Sequence, residues 1–190
     1  MEFTTNYSPT TMAFSLMAKD DLVQFRAWFM ENLPYCIEEL MQLVKTTPGY
    51  ECWTPDYSPS SLDLLGEWFL AKAKKRSLTL EEIKMLKSGM ANHVDIPLWD
   101  LTDETKTLAV YIGMYYGQVA IKCNSLLNWE QQLGSKKLAD FGQPVVTGLG
   151  AVPINPVRIA NSIACGLVDG TKTGSQLRKT YDFWSKLVIK

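Results

Sequence analysis

Histidine is almost missing from this chain: His93 is the only one among 190 residues. Imidazole is the side chain that titrates near neutral pH and the commonest metal ligand, so its scarcity removes most routes to an acid–base relay or a metal centre. Cysteine is scarce as well. Cys36, Cys52, Cys123 and Cys165 lie far apart, no C-x-x-C occurs, and a zinc site would need a distant combination of them with His93. Free thiols in a reducing compartment are therefore expected, with no metal and no cofactor. An excess of either charge is lacking too. The net charge is −1, far from the basic footprint of a nucleic-acid-binding domain. The one cationic run, Lys72, Lys74, Lys75 and Arg76, falls where a helix should end and complements the helix dipole there. No nucleic-acid partner is expected. No run of 18 apolar residues exists, so no membrane span or membrane partner is expected. The opening "MEFTTNYSPTTMAFSLMAK" has no basic region followed by an apolar core, unlike a secretory signal. Cytoplasmic residence is the simplest expectation.

Catalytic signatures are missing as well. There is no G-x-S-x-G, no P-loop and no H-E-x-x-H. "GLGAVPINP" contains a G-x-G, but it lacks the third glycine and carries two prolines, so no dinucleotide site is expected. Carboxylates pair at Asp20-Asp21, Glu38-Glu39, Glu81-Glu82 and Asp103-Glu104. Three of these pairs fall at expected helix N-termini, where they are favourable without any catalytic duty. His93 stands in a loop beside Asp95 with no flanking signature. A nucleophile paired with it would have to assemble in space. No residue is singled out as catalytic.

What is present is an ordinary globular composition, 46% hydrophobic and 21% charged. It predicts one domain over residues 1–190, with 1–18 as a loosely ordered, polar and turn-rich tail. Leu22, Phe25, Phe29 and Leu33 mark a first helix from Asp20, which Pro34 should interrupt. A second helix carries Ile37, Leu40, Met41 and Val44 and stops at Thr47-Pro48-Gly49. Ser58-Pro59 opens a helix whose stripe is Leu62, Leu65, Phe69 and Ala73. Thr79 and Glu82 form a capping box for a short helix that Gly89 should end. "SLLNWEQQL" and "QPVVTGLGAV" read as two antiparallel strands. Asn155-Pro156 opens another helix, and Leu177, Tyr181, Trp184 and Val188 are the buried face of the last. The fold class is α+β and predominantly helical, with a small antiparallel sheet in the C-terminal half.

The central helix should be Thr105–Cys123. Leu108, Tyr111, Ile112, Tyr115 and Val119 form one apolar stripe; Ala109, Gly113, Gly117 and Ala120 form a second, of small residues. Each glycine destabilises a helix by about 1 kcal/mol relative to Ala. Structural close packing at Gly113 and Gly117 is the expected return, because a bare backbone lets another element approach. A ligand against that face is the alternative. Six tryptophans are present, and most fall on or beside apolar stripes. Trp53 and Trp99 stand in loops, where they either anchor a partner or cover the ends of the helical core.

Three stretches in this order, "SPSSLDLLGEWF", "WDLTDETKTLAVYIGMYYGQVAIKCNSLLNWEQ" and "QPVVTGLGAVPINPVRIA", resemble small bacterial cytosolic domains found among the immunity proteins of polymorphic toxin systems and their relatives. The resemblance spans Ser58 to Ala160 and rests on core and turn residues, so no catalytic residues come with it. It implies a non-catalytic cytosolic domain that binds another protein, with toxin neutralisation by steric occlusion as the specific form. The alternative is a small hydrolase-type enzyme or a small-molecule sensor, with its site near His93 or the Gly113/Gly117 face.

Overall fold

Helix α4, Asp103–Cys123, is the axis of the fold. The computed structural model describes residues 3–88, 97–148 and 152–188. Within them α4 is preceded by α1 (Lys19–Lys45), α2 (Ser61–Lys72), β1 (Lys75–Ser77), α3 (Leu80–Ser88) and β2 (Trp99–Leu101). It is followed by β3 (Leu127–Gln131), β4 (Pro144–Gly148), α5 (Pro156–Val168) and α6 (Gln176–Val188). The class is α+β and mostly helical, and the strands form two separate antiparallel pairs, β1–β2 and β3–β4.

Local chemistry places α4. The Thr102 side chain accepts from the Thr105 N–H, Asp103 and Glu104 occupy the first turn, and Lys122 the last. Thr105 is fully buried. Its hydroxyl accepts from Lys74 N–H at 2.9 Å and donates to the Lys74 carbonyl at 3.1 Å, which ties the start of α4 to the end of α2. From Leu108 to Ala120 nearly every side chain of α4 is buried, as both apolar stripes require of a helix packed on most sides.

Pro34 does not divide the first helix. α1 runs unbroken for 27 residues, with Pro34 inside it. Pro34 and Met30, whose carbonyl would have bonded the missing N–H, both face solvent, so water can satisfy that carbonyl. The two apolar runs, Leu22 to Leu33 and Cys36 to Val44, bury on the same core. Shared burial outweighs the proline.

The N-terminal segment is packed, which corrects the loose tail expected for 1–18. Tyr7 and Phe14 are buried. With Phe3, they set their rings 5.0–5.2 Å from Phe25 in edge contacts. Burial pushes the Tyr7 hydroxyl well above its ordinary pKa. The Pro9 carbonyl accepts from Gln143 Nε2 and Arg158 Nη2, and Arg158 Nη2 also donates to the Ala139 carbonyl. Asp140 accepts from Arg158 Nε at 2.6 Å and from Asn155 at 3.0 Å; Asn155 donates in turn to Gln143. This polar cluster joins the N-terminal segment, the β3–β4 connection and the start of α5.

The β3–β4 pair has Trp129 opposite Val146. An isolated bridge from Val146 to Ile154 brings the chain back toward α5, whose N-cap Asn155 accepts from Arg158 N–H. The β1–β2 pair was not legible in the sequence. It sets Arg76 opposite Asp100, and bonds from Leu78 N–H to Leu98 O and from Thr102 N–H to Lys74 O extend it at both ends.

Candidate functional site

The small-residue face of α4 is filled by protein. A Cβ added at Gly113 would stand 2.5 Å from Val157 Cα and 2.8 Å from Val157 N, so the α5 backbone lies directly against the bare helix. A Cβ at Gly117 would meet the six-membered ring of Trp129, 2.1 Å from Cζ2. Trp129 itself is held at 5.2 Å by Phe29. No room remains at Gly113 or Gly117 for a ligand.

Two buried polar atoms lack a hydrogen-bond partner among the described residues: the Tyr116 hydroxyl on α4 and Trp129 Nε1 on β3. An unmet buried donor costs about 1–3 kcal/mol. For Trp129 the ring fit against Gly117 fixes the nitrogen's position.

The loop tryptophans have different surroundings. Trp53 is 3% exposed, donates through Nε1 to the Ser61 carbonyl at 2.9 Å and packs on Tyr115. It belongs to the core, so a partner cannot reach it without unfolding the loop. Burial also pushes the Tyr115 hydroxyl up to about 12. Trp99 is half-buried on β2, with Lys75 Nζ 5.3 Å from its ring centroid. His93 lies outside the described residues.

Trp99 sits in the β1–α3–β2 excursion, between the α2 and α4 ends that Thr105 pins together. The capping box forms: Thr79 N–H donates to Glu82 at 2.7 Å, and Glu82 N–H to the Thr79 hydroxyl at 3.2 Å. Arg76 grips the same carboxylate with two bonds, at 3.0 and 2.7 Å. Those bonds, and the Thr79 N–H after them, hold the Glu82 carboxyl down to about 2. Asp100 accepts from Lys106 at 2.6 Å and stands 3.7 Å from Arg76.

Between these paired charges runs an apolar groove of about 310 Å³, walled by Leu78, Met85, Leu86, Pro97 and Trp99. Of its wall residues, Met85 is 67% exposed. Apolar side chains gathered in a solvent-open groove mark an interaction surface more often than scattered ones do. Sequence reasoning found Trp99 but missed the groove, because its two walls are 11 or more positions apart and meet only through the unpredicted β1–β2 pair.

Among the described residues no group of three His, Cys, Asp or Glu side chains could hold a metal ion, and no described helix is long and apolar enough to cross a membrane. Comparison of the chain with protein families, with curated proteins and with solved structures finds no match.

Proposed function

We propose that the chain is a non-catalytic domain that binds another protein through the groove of the β1–α3–β2 excursion and acts by steric occlusion. The observation that carries this reading is the apolar wall that Leu78, Met85, Leu86, Pro97 and Trp99 build on this surface. Arg76, Glu82, Asp100 and Lys106 are already paired with one another. The groove therefore suits an uncharged apolar segment, such as one face of a partner helix. The resemblance to immunity proteins supplies the partner class, a toxin domain whose working surface would be covered.

The test compares wild type with Trp99→Ala and with Met85→Asp, at a groove residue that is exposed. Circular dichroism first establishes that all three melt alike. A protein captured by wild type is then purified and titrated against each. Truncating Trp99 should weaken binding by about 2 kcal/mol or more, and Met85→Asp should not bind measurably. A partner held equally well by all three would overturn the assignment of this surface. Hydrolytic turnover that disappears in a His93→Ala protein would replace the binding reading with an enzymatic one.

A further inference from the structure

The polar cluster around Pro9 backs a second cleft, of about 420 Å³. Its sides are the N-terminal segment 9–15, the β3–β4 connection from Lys136 to Gln143, and Arg158 in the first turn of α5. Small-molecule sites have volumes of this order. Among the described residues, the only charged side chains on its wall are Lys136 and Arg158, and both are cations. Asp140, which pairs with Arg158, does not line the cleft, and its Oδ1 already accepts from Arg158 Nε and from Asn155. Two cations against this one carboxylate leave a net positive charge.

The acceptors of this wall are engaged, and its donors are not. The Pro9 and Ala139 carbonyls receive bonds from both Gln143 Nε2 and Arg158 Nη2, and Gln143 Oε1 receives one from Asn155. The carbonyls of Met12, Ala13 and Phe14 accept backbone N–H groups. Arg158, by contrast, uses Nε on Asp140 and Nη2 on the two carbonyls, while its Nη1 meets no described residue. Lys136 is exposed and its Nζ meets no described residue either. The hydroxyls of Thr11 and Ser15, across the cleft on the N-terminal segment, are likewise unengaged among the described residues.

We infer that this cleft binds a phosphate group, free or as the monoester of a small molecule. A phosphate monoester carries nearly two negative charges at neutral pH and offers oxygens that only accept. That is the complement of a wall whose free groups are a guanidinium nitrogen, an ammonium and two hydroxyls. A carboxylate brings only one charge, and an uncharged ligand meets neither cation. The apolar part of the wall, Met12, Leu138 and Phe141, leaves room for an organic body beyond the phosphate. The bound group would bridge α5, the β3–β4 connection and the N-terminal segment, and so hold that segment in place.

The experiment titrates the full chain by calorimetry, at fixed ionic strength, with inorganic phosphate, glucose 6-phosphate, glucose and sodium acetate. Inorganic phosphate or the sugar phosphate should bind saturably at about 1 mM or tighter, acetate about ten-fold more weakly, and glucose not at all. Tighter binding of the ester would identify a phosphorylated small molecule as the occupant, and the reverse order the free ion. Lys136→Ala should weaken phosphate binding about ten-fold and leave the melting temperature of the free protein unchanged, because Lys136 is exposed and bonds to no described residue. Lys137→Ala, at a lysine that does not line the cleft, should keep the affinity of wild type. Amide exchange in residues 9–15 should slow when phosphate is bound. No saturable binding of either phosphate, binding of glucose or acetate as tight as theirs, equal losses in the two lysine variants, or unchanged exchange in residues 9–15 would each overturn the inference.

Discussion

Replacing Gly113 with alanine is the sharpest test of how α4 and α5 fit. By helix propensity alone the change should stabilise α4 by about 1 kcal/mol. The structure reverses the sign. The new Cβ would stand 2.5 Å from Val157 Cα, 2.8 Å from Val157 N and 3.0 Å from Pro156 C, where ordinary contact begins at 3.4 Å. All three atoms are backbone, so no side-chain rotation relieves the overlap, and α5 must retreat by about 1 Å. Retreat loosens Val157, Ala160 and Ala164, which are buried. It also pulls on the Asn155–Gln143–Asp140–Arg158 cluster at the same end of α5. Overpacking of this kind costs about 1–3 kcal/mol and more where backbone must move. With the cost in the upper part of that range and the propensity gain set against it, a net loss of about 1–2 kcal/mol follows, or roughly 2–8 °C in melting temperature for a chain of this size. Urea and thermal unfolding followed by circular dichroism measure it. Gly134→Ala is the control, since a Cβ there meets nothing nearer than 3.5 Å. Gly117→Ala is the intermediate case, because the obstacle is a side chain, and it should change tryptophan fluorescence as Trp129 is displaced. A Gly113→Ala protein that melts at or above wild type would refute the close approach of the two helices.

Pro34→Ala should stabilise the protein by about 1–2 kcal/mol, since the regained backbone bond within α1 exceeds the chain entropy that proline had removed; a lower urea midpoint would show that the proline is favourable where it stands. Glu82 ionises well below its ordinary value, so its contribution is complete above about pH 4.5 and is lost as pH falls through about 2. Melting measured across that window should therefore decline less steeply for Glu82→Gln than for wild type, and parallel declines would remove Glu82 from the account. Alkylation of the native protein should modify Cys52 and Cys123 first, because both are exposed, and Cys36 last, because it is buried and its thiol is pushed up to about 11. Denaturation without reductant should expose four reactive thiols, and a smaller number would reveal a disulfide.

The sequence was informative where local chemistry decides. Thr102 with Asp103 and Glu104 starts α4, Asn155-Pro156 starts α5, Thr79 and Glu82 cap α3, and the β-branched run at Val145 and Val146 makes β4. It misled where distant packing decides. Pro34 reads as a break because the helix rule is local, whereas α1 is held from both sides of the proline by one core. Phe3, Tyr7 and Phe14 follow no helical or strand period, so nothing along the chain announces that they converge on Phe25. Lys75-Arg76-Ser77 has the letters of a solvated helix end and becomes a strand only because Trp99–Leu101 lies beside it. Trp53 and Trp99 look alike as loop tryptophans. What separates them is the Ser61 carbonyl, which draws one indole inward.

The polar cluster at Pro9 also constrains the order in which the chain can mature. The Pro9 carbonyl receives its hydrogen bonds from Gln143 and Arg158, 134 and 149 positions away. During synthesis, Phe3, Tyr7 and Phe14 can meet α1 early, since Phe25 follows within two dozen residues. Their anchor cannot exist until α5 has been made. The N-terminal strap is thus among the last parts to lock, and closing it spans most of the sequence, the kind of non-local step that slows folding. Until then the strap rests on the aromatic face of α1 without the anchor that holds it there.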